Sequence, residues 1–533
     1  MSDFTRRQGR AIAGLILLAT VLVQSALNGQ NAMFAPAGSG EDVLWEKVTR
    51  DYMESFVEPT EPVPLNRLIM PWEPVQAVVL ALPLSDWQAQ PEFRAIFVDM
   101  LKVLLPRVKV IALYHEDNYR LLGDLLQSLK GEPDIAPYLD RMEFLGSGIF
   151  SVWARDFVPV FGRGADDGLV AVTGSFIPVR RMMTVFLTAK SKYQPAEQYF
   201  SLVDGANELK GLYGSDRVAS ALVSNLRARF DVPVSLSRSS IYLLGGDFLP
   251  LDGNAALVSG ITLDENGGDT LRMDQALREY FGIERVVYLE NLPGDTIEHL
   301  DFITLPIAEK TILTARVPEF SGERPYHRYL EAELRGRLTR NRERLEKAFP
   351  GRRIVQVPML PPVLDSRDMV IDELFLHCVG SVSSAKGYPL DVSNGPGPLL
   401  DPSSMDPQVV RGLQSALGVQ RWDRPADRAQ AVAYFLKRPI DELVDRHVEE
   451  HIQHRSYINC LYLKTADEGE ILLLPRYRPL SEAEVDLIQS TEAEVEKIYR
   501  SLFPEASLHW IDCTRLTPLQ GAIHCLTSTV PAN

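Results

Sequence analysis

Four side chains that could act together in nucleophilic chemistry are spread over most of the chain. Cys525 follows a small-residue turn that begins at Gly521, and His299, Asp301 and Asp156 lie far upstream. A thiol with an ordinary pKa of about 8.5 is only a few per cent ionised at neutral pH, so it needs partners before it can attack. An imidazole and two carboxylates are suitable partners, and the sequence supplies them.

His299 and Asp301 are two positions apart. On a strand, residues at this spacing point to the same face, which predicts an imidazole for proton transfer beside a carboxylate that binds a cation. A surface loop is the alternative interpretation, because residues 294–298 directly before the pair are rich in turn-forming types.

Two further segments could line the same site. Asp156 follows Trp153 and Arg155, an arrangement that predicts either a helix-free turn lining a pocket or a structural Arg–Asp pair. Gly245, Gly246 and Asp247 follow a predicted strand. Paired glycines at that place predict that the backbone approaches a neighbour closely, or a β-bulge.

The other cysteines are interpreted as buried apolar residues. Cys460 lies in an apparent strand from Tyr457 to Tyr462, Cys513 follows residues of a second strand, and Cys378 is interpreted in the same way. Four cysteines are too few for a disulfide framework, although one bridge could form in an exported protein, and the absence of a CxxC pair argues against zinc. No metal or organic cofactor is expected.

The elements that must position these residues alternate between short β-rich runs and amphipathic helices. This order predicts an α/β repeat architecture whose polar loops gather at one place. The predicted strands are Val78–Leu82, Val108–Leu113, Met142–Leu145, Leu169–Val172, Ser240–Leu244, Ala255–Ser259, Glu284–Leu289 and Ile471–Pro475, and the predicted helices are Glu92–Leu105, Asn118–Leu129, Asp274–Phe281 and Ser481–Leu502.

Residues 361–454 interrupt this repeat. Prolines break the segment repeatedly, and two stretches, Asp406–Leu417 and Asp427–Glu450, have helical spacing and many charges. We therefore predict a loop followed by a small helical insertion.

Composition limits the partners. The chain has 533 residues, 45% of them apolar, which is ample for a large core. Its 71 acidic and 55 basic residues give a formal net charge of −16, which disfavours nucleic acid and anionic lipid as partners and suits a cationic substrate. The sequence leaves the oligomeric state open.

The first residues have the form of an export signal. Arg6, Arg7 and Arg10 precede a weakly polar to apolar run from Ala11 to Val23 that has no polar face, which disfavours a buried first helix. We expect residues 1–32 to be a signal peptide or an uncleaved membrane anchor, residues 33–70 a lead-in, and residues 71–533 the catalytic domain. The protein is thus expected to be exported, to the periplasm or beyond, with the N-terminal segment as its one contact with a membrane.

Six blocks in their order carry a family resemblance. From Pro71 to Pro531, outside the insertion, the chain resembles the bacterial peptidylarginine deiminase and agmatine deiminase family of guanidine-modifying enzymes. The resemblance implies a pentein fold, a five-bladed α/β propeller of ββαβ units with the site at its centre and the insertion before the last blade. The blocks are Trp153–Pro159, Gly245–Asp247, Glu298–Asp301, Ser456–Asn459, Leu474–Tyr477 and Gly521–Cys525.

The resemblance assigns roles position by position. Cys525 matches the family's nucleophile, His299 its acid/base, and Asp156 and Asp301 the carboxylates that hold the guanidinium. Asn459 matches a polar residue near the nucleophile, and Asp247 and Trp153 are further candidates for substrate binding. Two departures are Leu244, where agmatine deiminases usually have Glu before the glycine pair, and Val158, where they usually have Gly.

These observations predict an exported deiminase that hydrolyses the guanidinium of peptidyl-arginine to citrulline and releases ammonia. The alternative is an agmatine deiminase that forms N-carbamoylputrescine. An amidinotransferase of the same fold is less favoured because it needs a second amine. A guanidinium-binding protein without activity is less favoured because thiol, imidazole and both carboxylates are all present, and a papain-like protease because its nucleophile lies early in the domain.

Overall fold

The computed structural model describes residues 59–532, with gaps at 85–86, 88–89, 150, 176–205, 294–298, 319–324, 364–369, 373, 377, 380–381, 383–404, 445–451 and 466–468. The predicted signal peptide or anchor, residues 1–32, and most of the predicted lead-in lie outside the described residues. Within the described part of the chain, none of the helices combines the length and apolar character needed to span a bilayer.

The described residues form a mixed α/β structure. The strands are β1 (Leu65–Leu68), β2 (Pro74–Ala81), β3 (Lys109–His115), β4 (Met142–Ser147), β5 (Val160–Gly164), β6 (Leu169–Ser175), β7 (Val234–Tyr242), β8 (Phe248–Pro250), β9 (Ala255–Ser259), β10 (Arg285–Leu289), β11 (Thr304–Ala308), β12 (Thr311–Arg316), β13 (Arg353–Pro358), β14 (Leu360–Val363), β15 (Gln453–Arg455), β16 (Leu461–Thr465), β17 (Gly469–Arg476), β18 (Ser507–Asp512) and β19 (Thr527–Pro531). The α-helices are Pro91–Leu104, Leu122–Lys130, Ala154–Phe157, Ala206–Arg229, Gly260–Glu265, Thr270–Phe281, Pro325–Ala348, Pro407–Leu417, Pro425–Leu436, Val485–Leu502 and Ile523–Leu526.

One pairing pattern recurs five times. Two strands pair antiparallel, a helical segment follows the second strand, and a third strand pairs parallel with that second strand. The pattern is formed by β5, β6 and β7, by β8, β9 and β10, by β11, β12 and β13, and by β16, β17 and β18. The last strand, β19, pairs antiparallel with β2, and β2 pairs parallel with β3, so the chain end completes the fifth unit. Hydrogen bonding between β16 and β2 joins two units into one seven-stranded sheet. Closure of all five into a propeller stays a prediction.

Apolar spacing explains how the helices pack. Helix Pro91–Leu104 buries Phe97, Met100, Leu101 and Leu104, which recur at three- and four-residue intervals and so share one face. Strand β2 lies inside its sheet, with residues 77–81 almost fully buried. A continuous apolar run of this kind is expected where a strand is covered on both faces.

The folded part of the chain begins before the predicted boundary at residue 71. Strand β1 pairs antiparallel with β5, and Leu68 is fully buried. The predicted lead-in therefore contributes a strand to the unit formed by β5, β6 and β7.

The insertion has a paired base and its own core. Strands β14 and β15 pair antiparallel at its two ends, and a buried cluster around Phe375 and Trp422 holds its helices together. The stretch Asp427–Glu450, which has helical spacing, contains an interrupted helix, and its residues 445–450 lie outside the described part of the chain. The helix ends at Leu436, because Lys437 adopts a φ of 58° and Pro439 follows, and helix resumes only at residues 440–444.

Three local predictions near the site are wrong. For His299 and Asp301 the sequence left a strand and a surface loop open, and neither is found, since His299 precedes a 3₁₀ turn at Leu300–Phe302 and both side chains are buried. Asp156 lies in a helical turn rather than a helix-free one, and Cys460 directly precedes β16 instead of lying within a strand. Over only three or four residues, a two-residue spacing of polar side chains does not separate a strand from a tight turn.

Candidate active site

The predicted site residues occupy the same place in each of the five units. Each lies in the turn directly before the first strand of its antiparallel pair. Asp156 precedes β5, Asp247 precedes β8, His299 and Asp301 precede β11, Asn459 precedes β16, and Cys525 precedes β19. The repeat thereby delivers one set of polar groups per unit to a common centre.

Cys525 lies in the helical turn Ile523–Leu526 and is 2% exposed. The side-chain amide of Asn459 donates from Nδ2 to Cys525 Sγ over 3.1 Å. Asn459 Oδ1 accepts from the backbone N–H groups of His524, at 3.0 Å, and Cys525, at 3.4 Å. One buried amide therefore holds both the thiol and the turn that carries it.

Asp301 is the carboxylate nearest to the thiol. Its two oxygens lie 3.6 and 3.8 Å from Cys525 Sγ, and its backbone N–H donates to Gly246 O over 3.2 Å. Burial acts to raise the pKa of Asp301, but a hydrogen bond from His524 and the nearby cations hold it below its usual value. This side chain is therefore an anion at neutral pH.

His299 lies between the thiol and the second carboxylate. Its Nδ1 is 3.8 Å from Asp156 Oδ1, and both side chains are buried. The ligating atoms of His299, Asp301 and Cys525 all lie within 4.8 Å of one another. Burial raises the pKa of Asp156 to about 6, although His299 and a backbone hydrogen bond from Gly246 favour the ionised form.

The glycine pair explains why these groups can meet. A Cβ at Gly245 would lie 1.9 Å from Arg155 O, and one at Gly246 would lie 2.4 Å from His299 Nδ1. The close backbone approach that the pair predicts is thus confirmed. Gly246 therefore contacts three parts of the site. Its Cα packs against the His299 imidazole, its N–H donates to the Asp156 carboxylate, and its carbonyl accepts from the Asp301 backbone N–H.

Asp247 is buried behind this glycine and is 1% exposed. The Thr262 hydroxyl donates to its Oδ2 over 3.2 Å, and burial raises its pKa to about 7 against the opposing influence of His299. Its charge therefore acts on the imidazole, while its role in substrate binding stays a prediction.

Trp153 lies against the turn that carries the cysteine. A Cβ on Gly521 would fall 2.2 Å from the indole ring, so only glycine leaves room for this packing. The ring is partly exposed, which leaves a surface for a substrate, although its predicted contact stays untested.

Sequence reasoning missed two side chains, Arg155 and His524. Arg155 Nε donates to His524 O over 3.3 Å, and His524 Nδ1 lies 2.6 Å from Asp301 Oδ2. Each is the chain neighbour of a predicted site residue. That adjacency was their one signal, since their partners lie hundreds of residues away.

The thiol is not ionised by its surroundings alone. Burial and the charges of Asp301 and Asp156 raise the pKa of Cys525 well above its ordinary value. The other thiols also have raised pKa values, mainly because they are buried, and Cys460 and Cys378 reach about 12. Only Cys525 owes part of its shift to two carboxylates that a bound cation would neutralise.

Among the described residues, His299, Asp301 and Cys525 form one cluster whose atoms could also hold a metal ion. We interpret it as a reaction centre, because a thiol, an imidazole and a carboxylate that lie this close together are the groups that nucleophilic attack on a guanidinium requires. A substrate guanidinium would bind to the Asp301 carboxylate of this cluster directly, without a metal ion.

The sequence profile described as Porphyromonas-type peptidyl-arginine deiminase matches residues 67–531. The chain belongs to this family. This deiminase is a hydrolase that acts on the C–N bonds of guanidino groups. No curated protein is similar enough to count as a match.

Solved structures support the fold of this deiminase. A Porphyromonas gingivalis structure assigned as an arginine deiminase is 17% identical, with a TM-score of 0.51 over 87% of this chain and 98% of the other. Campylobacter jejuni agmatine deiminase with substrate bound is 14% identical, with a TM-score of 0.50 over 87% and 96%. At these identities the similarity establishes a mixed α/β fold of the pentein deiminase type and no more.

Proposed function

We propose that this deiminase hydrolyses the guanidinium of peptidyl-arginine to citrulline and releases ammonia. The observation that carries the proposal is the position of the Cys525 thiol, 3.6 to 3.8 Å from the Asp301 carboxylate with His299 beside both. The family description favours arginine in a peptide. Agmatine is the second candidate, because a similar structure is an agmatine deiminase with its substrate bound.

Two carboxylates provide the binding step. A guanidinium is a flat, delocalised cation, and paired charge-assisted hydrogen bonds to Asp156 and Asp301 would set its plane and direct its carbon toward sulfur. Since Asp156 and Asp301 each belong to a different unit, the substrate itself would bridge two parts of the fold.

Substrate binding also activates the nucleophile in this scheme. The guanidinium offsets the two negative charges that raise the pKa of Cys525, so the thiol proton can pass to His299 when substrate is present. Without a bound substrate, burial and the two carboxylates outweigh the nearby Arg155 cation, and the neutral thiol is the favoured state.

The reaction then proceeds in two balanced halves. The sulfur bonds to the guanidinium carbon and forms a tetrahedral adduct. The His299 imidazolium then donates its proton to one nitrogen of the adduct, and the bond between that nitrogen and the carbon breaks to release ammonia. Water, deprotonated by His299, adds to the S-alkylthiouronium carbon, and the C–S bond breaks to give the ureido product and free Cys525. Neither half requires a metal or an organic cofactor.

The closed five-bladed propeller is part of the proposal. A cavity of about 70 Å³ is lined by residues of β5, β8, β11, β16 and β19, the first strands of the five units. Arg155 and His524 also line it. Five equivalent strands around one cavity are the arrangement expected if the units surround a common axis.

Export is the remaining proposal. Three arginines ahead of an apolar run support secretion, and a secreted deiminase meets peptides more readily than it meets a cytoplasmic polyamine precursor. Fractionation of producing cells tests this, since the activity should be found outside the cytoplasm.

One assay separates the substrates. The purified full-length protein is incubated with an arginine-containing peptide, free arginine and agmatine, and both ammonia and ureido product are measured. We expect turnover of the peptide with the highest kcat/KM, its loss in Cys525→Ala, and near-normal turnover in the matched control Cys378→Ser. Turnover of agmatine alone would replace the substrate proposal, and ammonia release that survives Cys525→Ala would remove the nucleophile.

A further inference from the structure

A short hydrogen bond joins the turn that carries the nucleophile to the turn that carries Asp301. His524 Nδ1 and Asp301 Oδ2 are 2.6 Å apart, and the two side chains are 6% and 0% exposed. The mechanism proposed above gives His524 no task. A buried pair this close to the reacting atoms therefore calls for a role.

Charge and tautomer follow from the surroundings. Burial, and then the Arg155 cation, lower the pKa of His524 to about 4, so its ring is neutral at working pH. Asp301 is ionised at the same pH, and an anionic carboxylate can only accept. The proton of this hydrogen bond consequently belongs to Nδ1, and the imidazole is the donor.

The rest of His524 is held in place. Its backbone N–H donates to Asn459 Oδ1 over 3.0 Å, and its carbonyl accepts from Arg155 Nε over 3.3 Å. Because the backbone N–H and the carbonyl of His524 are both hydrogen-bonded, the orientation of the imidazole is restricted and its Nδ1–H points to Asp301 Oδ2. The carboxylate that receives this proton must keep a matching rotation about its Cβ–Cγ bond.

We propose that His524 is a positioning residue that holds Asp301 ionised and correctly rotated for the substrate guanidinium and takes no part in proton transfer. The inference rests on the proposed function of the site. In this arrangement one lone pair of Asp301 Oδ2 accepts the hydrogen bond from His524. Oδ1 and the remaining lone pair of Oδ2 are left to bind the substrate cation. The other groups that face this carboxylate are His299, Arg155 and Cys525.

Three substitutions distinguish a positioning role of the His524 side chain from a role in which it only fills space. His524→Asn places its amide N–H where Nδ1 was, His524→Gln places it nearer to Nε2, and His524→Leu removes the donor at similar volume. Loss of a charge-assisted hydrogen bond corresponds to a factor of tens to about a hundred. We expect KM for the guanidine to rise by that factor in His524→Leu and His524→Gln with a smaller change in kcat, and His524→Asn to restore most of the affinity.

The pH profile gives a second readout. Without the imidazole donor the pKa of the buried Asp301 rises, so Asp301 adds to the titration of Asp156: below about pH 6, kcat/KM should fall more steeply in His524→Leu than in wild type, and the wild-type slope should return in His524→Asn. His115→Leu, the same change at the partly exposed end of β3, is the matched control and should alter neither quantity. Melting temperatures and near-ultraviolet circular dichroism spectra equal to those of wild type establish that each variant keeps its fold.

Direct binding separates this inference from the proposed function. Guanidine binding is measured by calorimetry in Cys525→Ala and in Cys525→Ala/His524→Leu. Tight binding to the first and weak binding to the second supports the inference, and equal binding to both overturns it while the proposed function stands. No binding to the first contradicts the proposed function. A fall in kcat at unchanged KM in the single variants would instead make His524 a proton carrier and overturn the inference.

Discussion

Gly246 lies so close to His299 that a methyl group on its Cα would be 2.4 Å from the imidazole Nδ1. No real Cβ tolerates this distance, and the imidazole ring is itself buried. The same glycine accepts the Asp301 N–H and donates toward Asp156. A single backbone position thus sets the distances among three of the groups assigned to the reaction.

Gly246→Ala should displace the imidazole and lower kcat by at least about 100-fold, the usual cost of losing a general acid/base. Steady-state kinetics with the best guanidine substrate measures this. Gly123→Ala is the control, since its new methyl group meets open space within the helix Leu122–Lys130. Activity of Gly246→Ala above a third of wild type would mean that His299 is not placed as described.

The acid limb of activity should follow Asp156. Burial raises its pKa to about 6, and only the ionised form binds a guanidinium, so kcat/KM should fall tenfold per pH unit below about pH 6. The limb in kcat should lie lower, because a bound cation favours the carboxylate. Initial rates from pH 4.5 to 8 at limiting substrate test this, and a kcat/KM that is flat below pH 6 would contradict it.

The site residues were predictable wherever a motif carried them, and their surroundings were not. Cys525, His299 and Asn459 come from short blocks in a fixed order, and the five-fold strand pattern places them together. His524 could not be assigned, because its partner Asp301 is 223 positions away and no local pattern records that contact.

Local structure was least predictable where polar residues face the site. In the sequence, a buried carboxylate in a tight turn has the same spacing from its neighbours as one on a strand. Asp301 is such a case, and only the tertiary contacts separate the two. The helix break at Lys437 depends likewise on one residue with positive φ, a conformation that lysine rarely adopts.

Asp247 should make the fold less stable as pH rises. Its pKa in the folded state, about 7, lies above the ordinary 3.8, so its contribution to stability is complete below about pH 4 and is lost as pH rises through 7. Asp247→Asn should therefore raise the free energy of unfolding at pH 8, by at most about 4 kcal/mol. Denaturant titrations of both proteins measure the difference. An equal gain at pH 4 and pH 8 would rule out a charge effect.

The insertion should unfold without loss of the site. Trp422 is fully buried in a cluster that includes Phe375 and Leu413 and none of the site residues. Trp422→Ala should destabilise this cluster by about 3 to 5 kcal/mol and expose the insertion to protease, while kcat on a small guanidine stays within about twofold. Tyr434→Ala removes a half-exposed ring of the same insertion and is the control. Parallel loss of activity and protease resistance would show that the insertion supports the site.

Thiol reactivity tests whether the cation activates the nucleophile. Chloroacetamide and chloroacetamidine carry the same leaving group, but only the second is a planar cation that Asp156 and Asp301 can bind. Because burial and these carboxylates raise the pKa of Cys525 well above its ordinary value, chloroacetamide should react slowly at neutral pH. Chloroacetamidine offsets the two charges, and we expect its rate to exceed that of chloroacetamide by at least about 100-fold beyond the ratio for free cysteine, since two charge-assisted contacts of 1.5 to 3 kcal/mol each are at stake.

Asp156→Asn supplies the control for that ratio. It keeps the size of the side chain and removes one charge, so the advantage of chloroacetamidine should fall by tenfold or more while chloroacetamide reacts slightly faster with a thiol whose pKa has dropped. Mass spectrometry of the alkylated protein verifies that Cys525 is the residue modified. If both reagents responded equally to Asp156→Asn, the carboxylate would act on the thiol alone and guanidinium recognition would have to come from other residues.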